Sequence, residues 1–184
     1  AMTAGYSEDN PLFEVLPPPP GGYRVDAVIG LYGRYDLVWD AQTFGSPSTI
    51  AAYLGSTISA PGGLELYQQA SAMTYVDNCV PPTKLIHGTA DTLINVQNAT
   101  RLDQALSNWG VFHMLQLVPG AGHGTGQLAN LSWTVDQIAP AIPVLLAHSQ
   151  AVCTHTSPPA FPVNDGCHQA IQFSPVESVV GNLQ

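Results

Sequence analysis

At 184 residues the chain can bury the core of one domain, and its 45% apolar against 9% charged residues give it a globular rather than a disordered composition. Four Lys plus Arg against thirteen Asp plus Glu set a net charge of −9 with no basic cluster to offset it, which argues against nucleic-acid binding and docking to anionic membranes. No apolar run reaches the roughly 18 residues of a membrane span, since the longest, around 139–147, is broken by Pro140 and Pro143.

Ala1 ahead of Met2 resembles the remnant of a cleaved tag, with an internal Met2 as the alternative. Residues 1–10 read as the last turns of a helix. "PLFEVLPPPPGG" (11–22) is an exposed connector, because four prolines and two glycines support no regular element. "RVDAVIGLYG" (24–33) reads as a strand buried on both faces and stopped by glycine. From 36 to 73 the pattern weakens to short helical pieces at 50–54 and 64–71 between Gly, Ser and Pro, the pattern of a lid-like excursion over one sheet edge. "PPTKLIHG" (81–88) is a turn and a second buried strand. In "NVQNATRLDQALSNWG" (95–110), Val96, Ala99, Leu102 and Leu106 fall at helical spacing, with Asn95 as N-cap and Gly110 past the end. "VFHMLQLV" (111–118) is a third strand, and "LANLSWTVDQIAP" (128–140) opens a last helix that Pro140 and Pro143 must kink or split. A Pro-rich tail fills 149–184, and no internal repeat is present.

This alternation predicts an α/β protein with a mainly parallel sheet flanked by helices. Three strands are few for a parallel sheet, so the sheet is expected to be incomplete. The organisation expected is an N-terminal helix end and connector (1–22), an α/β region (23–148) and the tail (149–184).

Active sites of parallel α/β sheets gather beyond the carboxyl ends of the strands. Asp91 follows the strand in "LIHGTAD", and His123 follows the next in "VPGAGHGTG". Glycines bend the backbone at both places and clear space around a carboxylate and an imidazole. An acid that orients a His and a His that accepts a nucleophile's proton are the chemistry such a pair performs.

On these residues the stretch from Arg24 to about Ala147 resembles the C-terminal part of the α/β-hydrolase fold, in the bacterial group of feruloyl-esterase-like and hormone-sensitive-lipase-like serine esterases. "VDAVIGLYGRYDL" resembles the strand and loop after the nucleophile helix. "YLGSTISAPGGLELYQQASAMTYV" is similar to the lid-side segment, "PPTKLIHGTADTLINVQNATRLDQAL" to the acid-bearing unit, and "LVPGAGHG" to the histidine loop. The resemblance implies that Asp91 is the triad acid and His123 the base. The triad order in this fold is Ser, then Asp or Glu, then His. No serine stands in a G-x-S-x-G elbow: Ser7, Ser46 and Ser56 each lack the preceding strand or the second glycine, and the glycine-rich oxyanion loop is missing. "AMTAGYSEDNP" corresponds to the end of the nucleophile helix, so the nucleophile is expected outside this chain and the chain alone is expected to be inactive. A serine or cysteine recruited from elsewhere in the chain is a further reading, but Cys79 has no obvious route to His123.

Trp39, Phe44 and Tyr53 are candidates for the wall of an acyl or aromatic pocket, with plain packing as the alternative. His87 reads as a packed core histidine, with a place near the site as the lesser alternative. Cys153, His155, Cys167 and His168 are zinc-capable residues in a spacing that matches no common finger, so no metal or cofactor is expected. Cys153 and Cys167 are spaced for a short disulfide worth about 3 kcal/mol in chain entropy, which leaves Cys79 alone; three free thiols are the alternative. Asn98 and Asn130 fit the glycosylation pattern, read as coincidence. The expected partner is a small-molecule ester as substrate of the complete protein. The competing reading is a non-catalytic fragment that self-associates through its incomplete sheet. The compartment stays open.

Overall fold

The computed structural model describes residues 2–6, 24–43 and 47–149. Three parallel strands, β1 (Val28–Leu31), β2 (Thr83–Gly88) and β3 (His113–Val118), form a sheet in the order β1-β2-β3. Central β2 is buried along its whole length, as the middle strand of a parallel sheet covered on both faces must be. β1 is shorter than the expected 24–33. In this register residues 26 and 27 would face Pro81 and Pro82, which have no N–H to give, and the ladder opens with the Val28 amide donating to Pro82 O at 3.0 Å. Nor is β1 buried on both faces: Val28 and Gly30 are buried, while Ile29 and Leu31 are half-buried.

Successive residues of β2 point to opposite faces. Leu85 enters a core with Val28, Ala99, Leu102, Leu106 and Val111, which α5 (Gln97–Asn108) covers. The far end of α5 matches the expected signal, whereas its N-cap is Val96 and not Asn95, which stands one residue before it. Asn95 Oδ1 accepts the Gln97 amide at 2.8 Å. At the far end Gly110 adopts φ +69°, its amide donates to Ser107 O, and Val111 N donates to Leu106 O, each at 3.0 Å; this paired closure satisfies carbonyls that the helix end leaves open. α1 (Met2–Tyr6) joins the same core, where the Tyr6 and Thr83 hydroxyls meet at 2.6 Å.

Ile86 faces the other way, into a core with Val118, Ala121 and Leu128 backed by Trp133 and Ile138. The two prolines split the last helical segment into α6 and α7 (Leu131–Ile138 and Ala141–Ala147) after a 3₁₀ turn at Gly126–Ala129. Asn130 Oδ1 caps α6 by accepting Trp133 N at 3.0 Å. Pro143 lies in the first turn of α7, where its missing N–H has no partner to lose.

The excursion consists of α2 (Leu37–Thr43), α3 (Pro47–Leu54), α4 (Gly63–Ala70) and a 3₁₀ turn at Ala72–Tyr75. The pieces expected at 50–54 and 64–71 are α3 and α4, whereas α2 was not anticipated. Leu37, Ala41, Ile50 and Tyr67 give this layer its own small core. Among the described residues no helix is long and apolar enough to cross a membrane. The connector at 11–22 and the tail beyond Ser149 lie outside the described residues.

Candidate active site

The loops after β2 and β3 are stitched together before either delivers its side chain. Thr89 N donates to Val118 O and Ala90 N to Ala121 O, each at 3.0 Å, and Gly120 N donates to Thr89 Oγ1 at 2.9 Å. Only glycine fits at position 88, because a Cβ there would lie 2.2 Å from Ala121 O. The loops therefore approach at backbone distance, and Asp91 and His123 emerge facing each other.

The Asp91 side chain is fully buried. Oδ1 accepts Leu93 N at 2.9 Å and Ile94 N at 2.8 Å. Oδ2 lies 2.9 Å from His123 Nδ1 and 3.3 Å from His87 Nε2. Burial alone would push this carboxyl up. The Ile94 amide, the His123 ring and the Leu93 amide outweigh it and hold Asp91 below the usual carboxylate range. An ionised carboxylate only accepts, so His123 carries its proton on Nδ1, and Nε2 presents a lone pair. His123 is 30% exposed on its side chain, enough for a reactant to reach it. Tyr32 packs edge-on to its ring at 4.8 Å and 74°. That tyrosine holds φ +38°, a conformation costly for a bulky side chain, and is fixed by its amide donating to Ile86 O at 2.7 Å.

Sequence reasoning missed Arg34 and gave His87 a place near the site only as the lesser alternative. His87 is a buried histidine, as expected, but its Nε2 lies 3.0 Å from Ile94 O and beside Asp91. Its signal was its place one residue before Gly88 at the carboxyl end of β2. Arg34 donates through Nη2 to Leu93 O at 3.1 Å and pairs with the buried Asp40. Burial lowers the Arg34 guanidinium from its ordinary value, and the charge of Asp91 acts the other way. Asn98 donates to Asp40 Oδ1 at 3.1 Å and accepts Tyr35 N at 3.2 Å; buried so, it offers no accessible amide to a glycan.

The other candidates lie apart from this pair's hydrogen bonds. Trp39 carries the Arg101 guanidinium 4.7 Å from its ring centre, Tyr53 is 82% exposed on α3, and Phe44 falls outside the described residues. Ser56 Oγ donates to Thr57 O; Ser7 and Ser46 are outside the described residues, as are Cys153, His155, Cys167 and His168. Cys79 is disulfide-bonded. This corrects both expectations, a lone Cys79 and three free thiols; loop length alone had favoured the short closure within the tail. Among the described residues no group of three or more His, Cys, Asp or Glu side chains is arranged to hold a metal, and no hydroxyl or thiol hydrogen-bonds to His123 Nε2.

The BD-FAE family model matches residues 1–106. Esterase LipC of Mycobacterium tuberculosis is 30% identical over 125 residues, covering 66% of this chain and 30% of that protein. Among solved structures, a bifunctional GH43-CE protein of Bacteroides eggerthii is similar with a TM-score of 0.61 and 25% identity, over 76% of this chain and 21% of that one. A truncated carbohydrate esterase from gut microbiota gives 0.56 and 24%, over 66% and 43%. Native esterase 2 of the planctomycete Thermogutta terrifontis gives 0.54 and 19%, over 76% and 49%. The chain spans less than half the length of each, and the sheet and its flanking helices are of the α/β-hydrolase type that these esterases carry.

Proposed function

Because the chain belongs to the BD-FAE family, we propose that Asp91 and His123 are the acid and base of a serine-esterase triad acting on carboxylic esters. The observation that carries this reading is the 2.9 Å contact from His123 Nδ1 to a buried carboxylate that two backbone amides already hold. In it, Asp91 fixes the imidazole and stabilises the imidazolium. His123 Nε2 takes the proton as a serine oxygen bonds to the ester carbonyl carbon, and returns it to the departing alcohol. Water then repeats the exchange to release the acid. In this reading the nucleophile and oxyanion donors are not supplied by this chain, and Trp39 and Tyr53 are candidates for the wall of the substrate pocket, with Phe44 outside the described residues.

The test is a chimera in which residues 24–149 replace the matching segment of Esterase LipC. Hydrolysis of a short p-nitrophenyl ester is expected, and His123→Ala should abolish it in a chimera that still folds. A folded chimera whose activity ignores that change would sink the assignment. In parallel, the chain alone is treated with a fluorophosphonate probe and weighed intact. A His123-dependent adduct there would overturn the placement of the nucleophile.

A second reading, a self-associating fragment, is favoured by the surface. Among the described residues β1 is paired on one side only, and Leu131 at 76% and Val135 at 49% exposure lie one turn apart on α6. Light scattering after size exclusion decides it: a clean monomer counts against this reading.

A further inference from the structure

We propose that His87 and Arg34 are positioning residues: each holds one carbonyl of the acid-bearing loop, and together they aim Asp91 at His123. The inference rests on the acid–base reading above and adds residues that the reading does not use.

Asp91 needs a fixed frame. Its Oδ1 takes both bonds from the amides of Leu93 and Ile94. A carboxylate held by backbone amides is only as fixed as the peptide units that carry them. Five and six residues after β2, in a loop with exposed Leu93, those units have no ladder to hold them. The same two residues are gripped at their carbonyls. Ile94 O faces His87 Nε2 at 3.0 Å, and Leu93 O accepts Arg34 Nη2 at 3.1 Å. Both grips come from rigid ground. His87 lies in central β2 and is fully buried. Arg34 follows β1 and is anchored by its ion pair to Asp40, itself tied to α5 through Asn98.

The tautomer follows from the partner. A carbonyl can only accept, so the proton of His87 sits on Nε2, where the same N–H also faces Asp91 Oδ2 at 3.3 Å. One N–H thus spans the loop and the acid, while among the described residues the buried Nδ1 has no hydrogen-bond partner. A histidine kept for packing alone would gain nothing from burying an unpartnered nitrogen, which costs free energy. The geometry gives the ring a reason to be there.

The test uses the chain itself, with ¹³C-labelled aspartate and ¹⁵N-labelled histidine, and needs no nucleophile. Two NMR readouts are followed: the titration midpoint of the Asp91 carboxyl and the His123 Nδ1 proton resonance. His87→Phe keeps the shape and removes the N–H; the Asp91 midpoint should rise by about half a pH unit or more and the His123 proton signal should be lost. His87→Gln, whose amide can reach both acceptors, should restore much of both. Arg34→Lys keeps a cation for Asp40 but not the second donor arm, and should shift the midpoint the same way by less. Thermal unfolding is recorded for each variant. Lower melting temperatures with both readouts unchanged would mean a packing role only and would overturn the proposal. If His87→Phe does not fold, Arg34→Lys decides alone, with an unchanged midpoint counting against the clamp. Because these signals do not depend on turnover, a chimera that is inactive while the clamp responds as described would remove the esterase reading and leave the positioning one.

Discussion

Asp91 and His123 face each other across 2.9 Å, yet the loops that carry them hold them differently. The acid is buried, with both oxygens engaged, on a loop whose carbonyls are held by side chains from two strands' ends. The base is partly exposed on a glycine-flanked loop, with one polar partner and one ring edge against it. The acid is built as a fixed reference and the base as a group that can receive a reactant. A proton-transfer site needs that division, because an imidazole buried like the acid would have nothing to deprotonate.

Three changes would break or sharpen this contrast, in descending order. Asp91→Asn in the chimera removes the charge and invites the wrong His123 tautomer; ester hydrolysis should fall by about 10⁴-fold, measured as kcat/KM, with little change in fold. Gly88→Ala forces a Cβ against Ala121 O and should cost about 3 kcal/mol in urea unfolding of the chain, since backbone has little room to yield. Third comes pH. The folded Asp91 carboxyl lies below its ordinary value, so its contribution to stability is present above the unfolded value near pH 4 and is lost as pH falls through the folded one. Unfolding midpoints of the chain should therefore drop from about pH 4 downward, and Asp91→Asn should flatten that limb. A mutant curve as steep as the parent's would show that other carboxyls account for it.

Much of this was legible in the sequence because the signals are local. Gly88 before "TAD" and the glycines around His123 announce turns at strand ends, and Asn95 and Gly110 mark the limits of α5. What escaped was set by distant parts of the chain. His87 reads as core from its neighbours, and nothing in "LIHG" says that Ile94 O will return to its ring. α2 carried a usable signal: Asp36 Oδ1 caps it by accepting Trp39 N at 3.0 Å. Asp40 hid the helix. A carboxylate on the inward face spoils an apolar stripe, and it is tolerated because Arg34 and Asn98 meet it there. The length of β1 was likewise decided by two prolines more than fifty residues away.

Tyr32 has a consequence for anyone breeding a hardier form of this protein. Its backbone sits at φ +38°, where a tyrosine costs about 1–2 kcal/mol relative to glycine. A library at position 32 screened only for survival at high temperature should therefore enrich glycine and asparagine. Those survivors would have lost the ring that leans on His123. Selection for heat and selection for turnover pull this one position in opposite directions.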